Sequence, residues 1–173
     1  MKTGYSKEKS QRRFGAIVNV LIAAVCAAIL CACSQAPQPA GGACPVTIAN
    51  GSTPPGEQPS PMNHGNGQLW TVLWPDGMIV FRPGGPGEIR AGGSLAIKFP
   101  WWRGDGVRGP MEITGRLLDR EGAEAYAELP TGYGETGFQA TTIVFSGEGC
   151  WEVTGRVGEV ELTFVQRVVR HEE

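Results

Sequence analysis

The sequence contains few of the side chains on which acid–base and metal catalysis depend. It has only two histidines in 173 residues, His64 in a glycine- and asparagine-rich stretch and His171 close to the C-terminus. No serine stands in the Gly-x-Ser-x-Gly turn of serine hydrolases, and there is no His-x-His pair or Asp-x-Asp-x-Asp run. We therefore assign no catalytic residue, no metal site and no cofactor. The sixteen acidic residues after Cys33 leave one enzymatic alternative, a hydrolase that uses paired carboxylates.

Positive charge is scarce in the second part of the chain. Only ten basic residues follow Cys33, against sixteen acidic ones, so this part carries a net charge of −6. A negatively charged domain repels the phosphates of nucleic acids. We therefore predict no nucleic-acid partner.

Long amphipathic helices are also missing, because no segment repeats apolar residues at 3.6-residue spacing over ten or more positions. Instead, 24 of the 26 glycines and all 13 prolines follow Cys33, where they separate short runs rich in β-branched and aromatic residues. This pattern predicts an all-β domain. We expect an immunoglobulin-like β-sandwich, with a small β-barrel as the alternative.

The strands can be placed from alternation and turn residues. Residues 69–74 and 78–81 flank Pro75-Asp76-Gly77, which predicts a hairpin, whereas 51–67 is expected to be a surface loop. Trp151, Val153 and Val157 alternate with polar residues on the opposite face, before a turn at 158–159. The predicted strands are 44–49, 69–74, 78–81, 94–99, 111–118, 123–129, 138–145, 150–157 and 160–169.

The first 33 residues differ in character from the rest. Residues 2–13 are polar and basic, and an apolar run follows from Ala16 to Ala32, interrupted only by Asn19. The run ends in Leu30-Cys31-Ala32-Cys33, which resembles the lipobox of bacterial lipoproteins, although Cys31 stands where Ala, Ser or Thr is commoner. The resemblance implies that residues 1–32 are removed as a signal peptide and that Cys33 carries acyl chains such as palmitate. The alternative is an uncleaved membrane helix, which would also expose residues 34–173 outside the cytoplasm.

This resemblance implies a domain organisation and a location. Residues 33–43, rich in proline, glycine and alanine, are expected to be a flexible tether, and residues 44–173 the domain. The protein would be lipid-anchored in the cell membrane or the outer membrane, facing the periplasm or the exterior. The membrane would then be its first partner.

Two cysteines remain for the exported domain. The signal peptide accounts for Cys26 and Cys31, and the lipid occupies Cys33, which leaves Cys44 and Cys150 in an oxidising compartment. A disulfide between them is predicted. The alternatives are two free thiols or a metal site, and two cysteines without neighbouring histidines make a poor metal site.

Two further stretches resemble known proteins. Residues 64–82 and 149–165 are similar to uncharacterised secreted and lipoprotein domains of bacteria. The closing segment, which starts with Cys150-Trp151, resembles the final two strands of immunoglobulin-like domains. The resemblance extends over most of residues 44–170 and implies a fold and a location, but no activity.

The most unusual local composition is Trp101-Trp102-Arg103. Adjacent residues of a strand point to opposite faces, so one tryptophan is expected in the core and the other outside. A tryptophan beside an arginine suits a ligand contact, and we take all three as candidates. We expect a non-catalytic module that binds an envelope glycan or protein; a structural spacer without a small ligand is a further alternative.

Overall fold

A computed structural model describes residues 43–171 of the chain. The predicted signal peptide (1–32), the lipid-attachment residue Cys33 and all of the tether except its last residue lie outside the described residues. The described part is all-β, which confirms the predicted fold class. Its strands are β1 (Asn63–Gly65), β2 (Leu69–Val72), β3 (Met78–Phe81), β4 (Glu88–Ile89), β5 (Leu95–Arg103), β6 (Glu112–Leu117), β7 (Glu124–Glu128), β8 (Gly137–Phe145), β9 (Gly149–Val157) and β10 (Val160–Arg170).

The strands form one hydrogen-bonded sheet. Their order is β1-β2-β5-β8-β7-β6-β9-β10-β3, and β4 pairs with β5 beside this path. All neighbours are antiparallel except β10 and β3. A sandwich of the immunoglobulin type has two separately paired sheets, so the small β-barrel alternative describes this pairing more closely.

The sheet curls so that β2 and β10, each next to an end strand of the order, approach each other. Strands β2 and β3 stand near opposite ends of the order, yet only residues 73–77 connect them. Side chains bridge the seam between β2 and β10: Asn66 Nδ2 donates to Glu161 O at 2.7 Å, and Gln166 Oε1 accepts from Trp74 N at 3.2 Å. Thr47 N donates a hydrogen bond to Val165 O, and Val165 N donates one to Thr47 Oγ1, both at 2.8 Å.

The predicted hairpin around Pro75-Asp76-Gly77 is wrong. These residues form a short 3-10 turn in which Asp76 has a φ of 55°. The chain continues in its original direction after the turn. Six successive antiparallel pairings lead from β2 to β10, so these two strands run the same way, and β3 is parallel to β10. Proline and glycine allowed a turn here, but the sequence did not show that the flanking strands pair with other partners.

Other boundaries also differ from those predicted. Residues 44–49 form no strand, and β1 lies inside the expected loop 51–67. Strand β5 does not end at Phe99 but continues to Arg103, because β2 and β8 both pair with its last three residues. Within residues 43–171 no helix is long and apolar enough to cross a bilayer.

One apolar core fills the inside of the curled sheet. Alternate residues of the long strands point inward, as predicted for Trp151, Val153 and Val157. Phe99 and Trp101 pack against Phe164, with ring centroids 5.7 and 6.0 Å apart. The largest fully buried apolar side chains are Trp101, Trp151, Phe81, Phe99, Phe145, Phe164, Leu69, Leu73, Ile79, Leu95 and Ile143.

Candidate functional site

Trp101 and Trp102 point to opposite sides of β5. Trp101 is fully buried, and its indole packs so closely on Gly155 that a Cβ there would lie 2.4 Å from the ring. Trp102 is only half-buried. Trp101 is therefore a core residue, and the expectation that it contacts a ligand is corrected.

Arg103 is also buried, with 5% of its surface exposed. Its guanidinium donates to the carbonyl oxygens of Gly109 at 2.9 Å and Gly134 at 2.6 Å, with longer contacts to Gly137 and Thr136. Burial lowers the pKa of Arg103, while the negative charge of Glu135 raises it. Arg103 thus fastens the loops 104–111 and 129–136 to the sheet, and its polar atoms are occupied by the backbone rather than by a ligand.

Trp102 lies at the centre of an outward-facing group of rings. It sits directly opposite Trp70 on β2 and Phe138 on β8. Its ring centroid is 5.3 Å from that of Phe138, and Phe138 lies 5.8 Å from Tyr133, both pairs being edge-to-face. Phe138 and Tyr133 are 43% and 40% exposed. We call Trp102, Tyr133 and Phe138 the aromatic patch.

The sequence reasoning overlooked Phe138 and Tyr133. Alternation in β8 carried a signal for Phe138, because Ile143 and Phe145 point inward and Phe138 must then point outward. Tyr133 lies in the loop 129–136, where alternation gives no direction. Only the folded loop, held by Arg103, brings Tyr133 beside Phe138.

A cleft of about 250 Å³ adjoins the aromatic patch. Its lining comes from residues 54–55, 102–106, 108 and 136–137. Pro54 is buried and Pro55 exposed, and the same loop supplies Glu57, whose Oε1 accepts a hydrogen bond from Trp102 Nε1 at 3.0 Å. The cleft is therefore lined by an aromatic residue, by two prolines and by polar or charged residues of the loops.

The lining of the cleft includes the carboxylate of Asp105 but neither of the two histidines. His64 lies on β1, is buried, and its Nδ1 has no hydrogen-bond partner. Burial lowers the pKa of His64. Each Asp and Glu in residues 43–171 is exposed or half-buried. In the same part of the chain no group of three or more His, Cys, Asp or Glu residues is arranged to hold a metal ion.

The predicted disulfide is confirmed. Cys44 and Cys150 are joined, with Cα atoms 5.5 Å apart and a sequence separation of 106. Asp119 Oδ2 accepts a hydrogen bond from Cys150 N at 2.8 Å beside the bond. Cys33, the predicted lipid-attachment site, lies outside the described residues.

The disulfide and the cleft occupy opposite ends of the curled sheet. Cys150 begins β9, near the last residues of β8 and β10, whereas Trp102 ends β5, opposite the first residues of β8. We call these the disulfide end and the cleft end. The described chain therefore begins at one end, and the aromatic patch lies at the other.

Comparisons with protein-family models, with curated protein sequences and with solved structures gave no significant match.

Proposed function

We propose that this chain is a non-catalytic binding module of the bacterial cell envelope, anchored by lipid on Cys33 and binding its ligand at the cleft end. The lipobox-like Leu30-Cys31-Ala32-Cys33 supports the anchor. The Cys44–Cys150 disulfide supports a location outside the cytoplasm, because structural disulfides persist in oxidising compartments.

The observation that carries the binding function is the aromatic patch beside the cleft. Exposed tryptophan, tyrosine and phenylalanine side chains dominate the energetics of binding surfaces when they cluster. Here the ring of Phe138 contacts those of both Trp102 and Tyr133, and all three remain partly open to solvent. Neighbouring exposed apolar side chains of this kind are typical of interaction sites when they form a continuous patch.

The opposite outer face of the sheet provides the contrast. Outward positions of β6, β9 and β10 carry alternating charges, with ion pairs between Arg116 and Glu152 and between Arg156 and Glu161. Thr154 and Thr163 bond to each other on the same face at 2.8 Å. We call this the charged face. Exposed ion pairs contribute little to stability and keep a surface solvated, so a partner is not expected there.

The position of the first described residues suits such a module. Since Cys44 is fixed to the disulfide end, an anchor that precedes it joins the domain away from the cleft. The cleft would then stay accessible to a ligand in the envelope. The same arrangement does not suit a structural spacer, because a spacer has no need for an exposed aromatic cluster.

Photo-crosslinking in the producing cells tests the binding function. A photoreactive amino acid replaces Thr136, an exposed residue of the cleft lining, and in a control it replaces Thr163 on the charged face. We expect a discrete crosslinked product from position 136 alone, and its loss in the Trp102→Ala background. Equal products from both positions, or none from position 136, would contradict the proposal.

The mass of the intact protein from native membranes tests the anchor. We expect a chain that starts at Cys33 and carries acyl groups, and that gains the mass of two hydrogens on thiol reduction. An unacylated chain that retains residues 1–32 would contradict the lipoprotein assignment, while leaving the disulfide and the cleft in place.

A further inference from the structure

A proline-rich segment of the chain itself forms part of the cleft wall. The loop 51–61 contains four prolines, and its Pro54 and Pro55 line the cleft together with Trp102. The Trp102 indole N–H is bonded to Glu57 of this loop. Trp102 therefore lies between two neighbours. It contacts the irregular, proline-containing loop 51–61, and its ring also contacts that of Phe138.

The geometry of the aromatic patch favours an extended chain over a flat ring. Trp102 and Phe138 are inclined at 60°, and Phe138 and Tyr133 at 64°. Rings in edge-to-face contact form ridges and notches, whereas stacking of a sugar requires a flat, open ring face. Polyproline-type segments insert pyrrolidine rings into such notches, and they lose little entropy because they are extended before they bind.

The charges around the cleft indicate the sign of the ligand. Glu57, Asp105 and Glu135 are exposed at its rim, and Arg108 is the exposed cation of the lining. The guanidinium of Arg103 keeps its positive charge, and it interacts with the negative charge of Glu135. The three acidic residues exceed the two arginines by one charge, and among residues 43–171 Asp105 forms no ion pair. This excess and the net charge of −6 after Cys33 both disfavour an anionic ligand and suit a cationic one.

From these three observations we infer that the cleft end binds an extended, proline-containing segment of positive charge in a partner protein. This inference rests on the proposed binding function and names its ligand class. The cleft, at about 250 Å³, is smaller than pockets that enclose drug-sized ligands. It therefore accommodates one or two residues of the segment, while the neighbouring prolines lie along Phe138 and Tyr133.

Calorimetric titration of the full-length protein in detergent tests the inference. The probes are a nonapeptide that alternates proline with arginine and alanine, the same peptide with every proline replaced by alanine, and an uncharged oligosaccharide of N-acetylglucosamine. We expect binding of the first peptide only. The alanine peptide has the same charge, so its failure to bind separates proline recognition from simple electrostatic attraction.

Matched variants locate the interaction. Trp102→Ala and Phe138→Ala should each weaken binding of the peptide about tenfold or more, since truncated aromatic anchors typically cost this much. Tyr126→Ala, which removes a 56% exposed ring on β7 outside the cleft, should leave the affinity unchanged. Asp105→Asn should weaken binding about threefold at low salt, whereas Asp76→Asn, an exposed change elsewhere, should not. Thermal unfolding of each variant confirms that it is folded.

Each adverse outcome has a defined meaning. Binding of the oligosaccharide but not the peptide, lost in Trp102→Ala, would overturn the peptide inference and leave the binding function intact. Equal binding of the proline and alanine peptides would also overturn it. If no probe binds, the inference fails, and the crosslinking at position 136 decides the binding function separately.

Discussion

The two ends of the curled sheet are held together in different ways. At the disulfide end a covalent bond joins Cys44 to the start of strand β9, and Asp119 and Glu148 accept hydrogen bonds from nearby backbone N–H groups. At the cleft end, the described residues 43–171 contain no disulfide. There the buried guanidinium of Arg103 donates hydrogen bonds to carbonyl oxygens of the loops 104–111 and 129–136. The first arrangement fixes a chain in place, and the second leaves loops whose outer surfaces are open.

This difference matches the requirements of the anchored binding module proposed above. A point of attachment must survive when the chain is pulled or partly unfolded, and a disulfide provides this. A binding surface must present side chains in a fixed order and still exchange water for a ligand. The loops at 104–111 and 129–136 meet this need, because Arg103 orders their backbones while Tyr133 and Phe138 remain exposed.

The largest effect on stability is expected at the disulfide end. The Cys44→Ser, Cys150→Ser double variant opens a loop of about a hundred residues in the unfolded chain, which should reduce the free energy of unfolding by about 4–5 kcal/mol. Chemical denaturation of the full-length protein measures this loss. Wild-type protein kept reduced serves as the control and should match the double variant. An unchanged denaturation midpoint would show that the disulfide end does not depend on the covalent bond.

At the cleft end, the largest effect on stability is expected from Arg103. Arg103→Met keeps an apolar stem but removes the donors to Gly109 and Gly134, and should reduce the free energy of unfolding by about 2–3 kcal/mol. The matched control is Arg116→Met on the charged face, where an exposed ion pair should contribute less than about 1 kcal/mol. Limited proteolysis should cut within 104–111 and 129–136 in the first variant only. Equal effects of the two changes would contradict the role of Arg103.

A smaller, pH-dependent effect is expected from His64. Burial lowers its pKa below 6.5 in the folded protein, so below pH 6.5 the unfolded chain binds a proton that the folded one does not. The stabilising contribution is therefore complete above pH 6.5 and is lost as the pH falls towards the folded pKa, by at most about 1.4 kcal/mol per pH unit. Denaturation at pH 7.5 and 5.5 should show this loss in the wild type and a smaller one in His64→Gln. The same pH dependence in both proteins would assign it to other groups.

The smallest effect on stability is expected from Phe138 itself. Because this ring is 43% exposed, Phe138→Ala should change the free energy of unfolding by only about 1 kcal/mol. Phe145→Ala, in which a fully buried ring of the same strand is removed, should cost about 3–5 kcal/mol. The two variants, compared by thermal unfolding, separate the binding surface from the core. Similar losses would show that the aromatic patch is a structural element.

Local patterns in the sequence predicted most of the strands, and the pairing of the strands could not be read from them. Alternation located the closing pair β9 and β10 and the inward face of Trp151, because these strands are adjacent in sequence and share a short turn. The same signals around Pro75-Asp76-Gly77 were misleading, since β2 pairs with β1 and β5, and β3 pairs with β10, far along the chain.

The candidate site was predicted in part. Period-two alternation correctly divided Trp101 from Trp102 between the two faces of β5. The composition around Arg103 suggested ligand contact, but a strand end does not reveal that two distant loops will surround a guanidinium with carbonyl oxygens. Tyr133 lies in one of these loops, so its contact with Phe138 could not be predicted from the sequence either. Sequence patterns therefore located the region, while the long-range contacts determined which side chains are free to bind.

Hydroxyl-radical footprinting in intact cells tests most directly whether the cleft end is a binding surface. The oxidation of Tyr133 and Phe138, relative to that of the exposed Tyr126 and Met78, is measured by mass spectrometry in cells and in the purified protein. The account predicts that Tyr133 and Phe138 are protected in cells, while Tyr126 and Met78 react to the same extent in both. Equal oxidation of all four residues in the two settings would contradict it.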